Sequence, residues 1–159
     1  MKLDDLDLKL ILELQKDGRQ NFVELARRLN VSEITVRRRS RRLMENNIVR
    51  VTATPDLDAV GYGFTCLVGL QVHLADFDTI AAQIASHANV CYLAKVTGRY
   101  DLMAIMVARS SREFADFLQN VISPIAGVLR TETFVNLNIY KGQPGALDTS
   151  HLVESFVMN

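Results

Sequence analysis

Apolar residues at Leu3, Leu6, Leu10 and Leu14, with Leu8, Ile11 and Leu12 beside them, recur at the spacing of one helix face over residues 3–16. Asp4, Asp5 and Asp7 fall in its first turn, where the helix dipole favours negative charge. Asp17-Gly18 closes the helix, with Gly18 expected in the left-handed conformation past its end. Asn21 followed by Glu24 is a capping-box pattern for a second, short helix whose apolar face is Phe22, Leu25, Ala26 and Leu29. Asn30-Val31-Ser32 reads as a tight turn, and Ser32 as the cap of a third helix over 33–46. On that helix Val36, Ser40 and Leu43 face inward, while Ile34, Arg38 and Arg41 centre the opposite face, flanked by Thr35, Arg37 and Arg42. Arg39 borders the inward face, where an ion pair with Asp17 or Glu24 competes with a role outside the domain. Asn47 closes the third helix, and Ile48–Val51 has the pattern of a first wing strand. Residues 1–52 thus predict a winged helix-turn-helix domain.

The rhythm changes after a turn-rich stretch from Pro55 to Gly63, which places a linker at 53–63. Residues 64–74 alternate, with Cys66, Val68, Leu70, Val72 and Leu74 on one face. A helical stripe follows over 76–88, then strands at 90–97 and 102–108 around the turn Gly98-Arg99-Tyr100-Asp101. Ser110 and Glu113 form a capping box before a second stripe from Phe114 to Ile125, and Val128–Tyr140 reads as the fourth strand. The order β-α-β-β-α-β over 64–141 predicts a ferredoxin-like domain and an α+β fold overall. Two helices cover one sheet face, yet residues 102–107 are apolar on both sides. A second subunit is the expected cover, hence a homodimer. Residues 142–159 read as a C-terminal extension in which Leu152, Val153, Phe156 and Val157 predict a short helix.

Charge changes the picture. The 159 residues hold 18 Lys plus Arg and 18 Asp plus Glu, a net charge of zero. Residues 1–50 carry 12 basic and 8 acidic residues, a balance of +4, and the remainder is acidic by the same amount. Seven arginines fall within 27–42 against one acid, Glu33. Such asymmetry points to double-stranded DNA as a partner of the first domain. A helix seated in the major groove offers its N-terminal residues to base edges. Arg38 suits guanine, Ile34 a thymine methyl, and Thr35 a base or phosphate. Arg27, Arg28, Arg37, Arg41 and Arg42 suit phosphates, and Ser32 completes the set at the helix start. Two cysteines are too few for a disulfide framework or a cysteine-based zinc site, and no metal or cofactor is expected. No run is long enough to span a membrane and the N-terminus lacks a signal-peptide core, so a cytoplasmic protein is expected.

The order and spacing of several motifs resemble the Lrp/AsnC (feast/famine) family of transcriptional regulators over roughly residues 3–141. They are Asp7–Arg19, Glu24-Leu25-Ala26, Val31-Ser32, Arg39 with Arg42-Leu43, Asn47-Ile48, Asp58–Gly61, Val96-Thr97-Gly98 with Asp101, and Gly127-Val128 with Thr131 and Thr133. The resemblance implies dimers that assemble further, often to octamers, and an amino acid or related metabolite bound near the turn between the second and third strands. Here that turn is Gly98, Arg99, Tyr100 and Asp101, with Thr131 and Thr133 as added polar groups. The chemistry fits: Gly98 permits close backbone approach, turn amides or Arg99 receive a carboxylate, and Asp101 accepts from an ammonium. The bland alternative is a plain hairpin in which Asp101 caps backbone amides. Two departures stand out: Ser40 where the family usually has an aliphatic residue, and Asn47 where glycine is usual.

Two other classes compete. Siroheme decarboxylases resemble this architecture but carry histidine near the second strand, where this chain has VCYLAKVTGRYDLM, with Tyr92 and no histidine. No Ser-His-Asp, metal-spaced or phosphate-loop pattern is present, so no catalytic residue is expected. A DNA-organising protein without an effector is the third class.

Overall fold

A computed structural model describes residues 2–142, which form two compact units dividing between Ala53 and Thr54. The predicted tail helix falls outside the described residues.

The first unit is three helices: α1 (Asp5–Lys16), α2 (Phe22–Leu29) and α3 (Glu33–Glu45). Leu10, Leu14, Leu25, Ala26, Val36 and Leu43 form its core. The side chain of Asp4 caps α1 and closes a reciprocal capping box with Asp7. Asn21 caps α2 by accepting from the Val23 amide, and Ser32 caps α3 by accepting from the Thr35 amide. Asn30 and Asn47 both take left-handed backbone, φ 53° and 54°. Beyond each, a backbone N–H returns to the last turn: Val31 to the Ala26 carbonyl at 3.0 Å, Ile48 to the Leu43 carbonyl at 2.9 Å. These bonds satisfy carbonyls that the helix end would leave open.

Two expectations change here. Gly18 is not the left-handed residue; Asp17 ends α1 in extended backbone, and its side chain accepts from the Arg19 amide. Gly18 serves close approach instead, since a Cβ there would stand 2.9 Å from the Val51 side chain. Nor is Ile48–Val51 a strand: among the described residues no second strand of this unit pairs with it. Val49 rests against the helical core as extended chain, and a wing strand without a partner has no ladder to join.

The second unit runs β1 (Phe64–Val72), α4 (Phe77–Ala85), β2 (Val90–Lys95), β3 (Leu102–Ala108), α5 (Ser111–Phe117) and β4 (Val128–Val135). Its antiparallel sheet has the order β2-β3-β1-β4. Cys66, Val68 and Leu70 of β1 and Leu102, Ala104 and Met106 of β3 meet Ile80, Ile84, Phe114 and Ile122 beneath the helices. The stripe predicted from Phe114 onward is not one α-helix. After Phe117 the chain widens into a π turn over Leu118–Ile122, with the Ser123 amide reaching the Leu118 carbonyl at 2.8 Å. Pro124 follows, and its missing N–H ends regular bonding. β4 stops at Val135, short of the predicted Tyr140. The sheet face opposite the helices is partly covered by the chain itself. Leu57, Val60 and Tyr62 pack on Cys91 and Val107, and Val107 is fully buried. Leu67, Met103 and Ile105 on the same face remain half-exposed.

Candidate nucleic-acid interface and effector turn

The helix-turn-helix surface follows from how α3 is seated. With Val36, Ser40 and Leu43 buried, the opposite face must point outward, and Ile34 is 80% exposed although apolar. Arg27, Arg38 and Arg41 are exposed and make no ion pair among the described residues. Arg37 pairs with Glu33 at 2.6 Å one turn away, and its guanidinium lies 5.4 Å from the Phe22 ring centre. The hydroxyls of Ser32 and Thr35 bond each other at 2.8 Å.

The remaining arginines of the window are committed inside the unit. Arg28 pairs with Glu13 at 2.8 Å and donates to Gln20. Arg42 donates to Asp7 at 2.5 Å, and Arg39 to Asp7 at 2.9 Å and Asp4 at 2.6 Å. Of the two alternatives for Arg39 the structure shows an ion pair, with partners on α1 and its cap rather than Asp17 or Glu24. Asp7 is fully buried. Burial pushes its carboxyl up, but the Asp4 amide, Arg39 and Arg42 outweigh it and hold it below the usual range. Arg39, then the Asp7 amide, lower Asp4 to about 2. The sequence placed Arg28 and Arg42 on phosphates; the structure gives both carboxylate partners within the unit.

At the second surface Gly98 has φ 117°, and a Cβ there would meet nothing within 4 Å. The β1–β3 ladder ends at Leu70↔Leu102. Asp101 extends it, its amide donating to the Leu70 carbonyl and its carboxylate accepting from the Val72 amide, both at 2.9 Å. One Asp101 oxygen is thus spent on backbone, as the plain-hairpin reading expected. Gln71 donates to the Arg99 carbonyl at 2.8 Å. Tyr100 lies over Gly69, where a Cβ would come within 2.6 Å of the ring, and donates to Glu132. That bond, then burial, raises the Tyr100 phenol. Arg99 stands 3.9 Å from Glu132.

Thr131 and Thr133 are not part of this cluster. They pair with Leu70 and Val68, so they point to the helix side of the sheet, whereas Glu132 pairs with Gly69 on the Tyr100 side. Glu132 was missed, although strand alternation places it opposite the two threonines. A separate cleft of about 420 Å³ lies between the turn at Pro55–Gly63 and the chain after β4, lined by Asp56, Asp58, Thr65, Asn136 and Asn138 among others.

A helix-turn-helix unit joined to a ferredoxin-like domain is the architecture of a DNA-binding transcriptional regulator. Residues 3–44 match the AsnC-type helix-turn-helix domain and residues 65–146 the Lrp/AsnC ligand-binding domain. The chain belongs to the Lrp/AsnC family. It is 29% identical over 140 residues to the HTH-type transcriptional regulator FL11 of Pyrococcus furiosus, covering 87% of this chain and 92% of that one. The AsnC structure from Escherichia coli aligns with TM-score 0.85 at 23% identity, covering 90% and 97% of the two chains. A Neisseria meningitidis regulator solved as an L-Met complex aligns with TM-score 0.83 at 23% identity, covering 95% and 99%.

Proposed function

We propose that this protein is a sequence-reading regulator, dimeric through the open sheet face, whose DNA occupancy responds to an amino-acid-like effector at the 98–101 turn. The observation that carries the DNA reading is the outward face of α3, where Ile34 stands 80% exposed beside Arg38 and Arg41. Ile34 is the most exposed large apolar side chain among the described residues of this unit, and an apolar residue held in water next to uncommitted arginines suits a groove better than solvent. Arg38, Ile34 and Thr35 read bases, while Arg27 and Arg41 neutralise phosphates. Arg37 joins them where a phosphate displaces Glu33, and Ser32 fixes the helix start. The L-Met complex of the Neisseria relative supports an amino-acid effector. Gly98, Arg99, Tyr100 and the second Asp101 oxygen are the groups to receive it, with Glu132 in place of Thr131 and Thr133.

The test is enrichment of a duplex from a random 30-bp library, followed by titration. Arg38→Ala is expected to remove preference for the enriched duplex. Arg41→Ala is expected to weaken enriched and scrambled duplexes alike and lower the salt slope by about one. Enrichment of no sequence by the wild type would sink the reading. For the effector, calorimetry with the twenty amino acids is expected to find one whose binding Arg99→Ala abolishes; unchanged binding in that variant would move the site elsewhere.

A further inference from the structure

We infer that Asp7 is a positioning residue of the DNA-reading unit, setting the rotational phase of α3, and that Arg39 and Arg42 serve it rather than the phosphate backbone. The inference rests on α3 being the reading helix. Asp7 comes from the first turn of α1, is fully buried, and uses its two oxygens on two different arginines of α3. Those arginines are three residues apart, so their side chains leave α3 about 60° apart around its axis. Apolar packing of Val36 and Leu43 seats α3 but tolerates some roll; two bonds from one carboxylate to separate points on its circumference oppose that roll. Rolling matters here because a turn of about 100° replaces each outward residue with its sequence neighbour. Such a roll would take Arg38 out of the groove and bring Arg37 in. Asp4 braces Arg39 from the preceding cap, accepting from the same Arg39 nitrogen at 2.6 Å.

The cluster is poorly built if stability is its purpose. The Nε atoms of Arg39 and Arg42 and the Oγ of Ser40 between them are buried with no partner. A charge network closed on a buried carboxylate and leaving orphaned polar atoms is often no better for stability than apolar packing; the best-attested use of such a network is fixing register. The three donors without partners and the two strong bonds to Asp7 together point to geometry as what the cluster maintains.

The experiment compares binding to the duplex enriched by the wild type with binding to a scrambled duplex of equal composition, across a salt series. Asp7→Asn keeps the size and one acceptor but removes the charge. It is expected to lower the ratio of the two affinities about tenfold or more, with affinity for the scrambled duplex within about threefold of wild type. Arg42→Gln is expected to show the same loss of ratio with an unchanged salt slope. If Arg42→Gln instead weakens both duplexes equally and lowers the slope by about one, Arg42 is a phosphate ligand and the inference is wrong. If Asp7→Asn lowers the unfolding temperature but keeps the ratio at a temperature where it is folded, the role is structural only and the inference is equally wrong. Should Asp7→Asn fail to fold, Arg42→Gln decides alone. Enrichment of no sequence by the wild type would strike the DNA reading itself, a result separate from any of these.

Discussion

Ser40 is 1% exposed, and its hydroxyl meets no partner, so the residue sits in the core at a cost. Ser40→Ala removes the orphaned group and improves helix propensity; it is expected to stabilise the first unit by about 1 kcal/mol, read as a higher thermal midpoint. A lower midpoint would mean that the hydroxyl is bonded in solution. Asp4 and Asp7 carry a second residue-scale consequence. Both carboxyls are lowered from 3.8 in the fold, Asp4 to about 2. Their contribution is complete above the unfolded value and is lost as pH falls through the folded one. Unfolding titrations are therefore expected to show stability falling from about pH 4 toward pH 2, with a shallower fall in Asp7→Asn. Gly69→Ala drives a methyl into the Tyr100 ring and is expected to cost about 1–3 kcal/mol while loosening the turn, seen by thermal melting and by weakened effector binding. That Ser40 faces inward was legible from helical spacing. That Asp7 is buried was not, because an aspartate in a first turn looks the same whether it complements the helix dipole or meets arginines 32 and 35 residues away.

At the scale of elements, the asparagines that end α2 and α3 are the clearest case of sequence chemistry deciding structure. Asn47 holds φ 54°, which an alanine adopts with strain. Asn47→Ala is expected to destabilise the first unit by about 1 kcal/mol and Asn47→Gly to be neutral or better, checked by denaturant midpoints. The three helices, the four strands and their order were legible because each has a clean period and a cap or turn at its ends. The failures share a cause. The wing strand, the full length of α5 and the extended β4 rest on apolar pattern, and pattern does not report whether a hydrogen-bonding partner exists. Among the described residues Ile48–Val51 has no partner strand, the chain after Phe117 widens into the π turn before it reaches Pro124, and β4 ends at Val135, its last pair with β1. The effector turn was legible as a turn, but which residues share its face required the register. Thr131 and Thr133 and their neighbour Glu132 were sorted to opposite sides by pairing with β1.

For the whole molecule, the balanced net charge separates into a basic first unit and an acidic remainder. The half-exposed Leu67, Met103 and Ile105 lie on the face that Leu57 and Tyr62 only partly cover. Ile105→Asp is expected to shift the protein to monomer in sedimentation, since a carboxylate there has no partner across a closed interface. Unchanged mass would place any self-association elsewhere. The ion pairs of α3 then acquire a meaning for strength of binding. Of seven arginines in the window, four are tied to carboxylates within their own unit, which leaves Arg27, Arg38 and Arg41 uncommitted. Fewer uncommitted cations release fewer counterions, so the window is expected to contribute less affinity than its seven charges suggest. In the proposed dimer the two units would bind as a bivalent ligand, the second at an effective concentration set by the chain that tethers it. In that dimer the irregular stretch between α3 and the turn at Leu57 is expected to set avidity: lengthening it would dilute the second unit without touching a single proposed DNA contact.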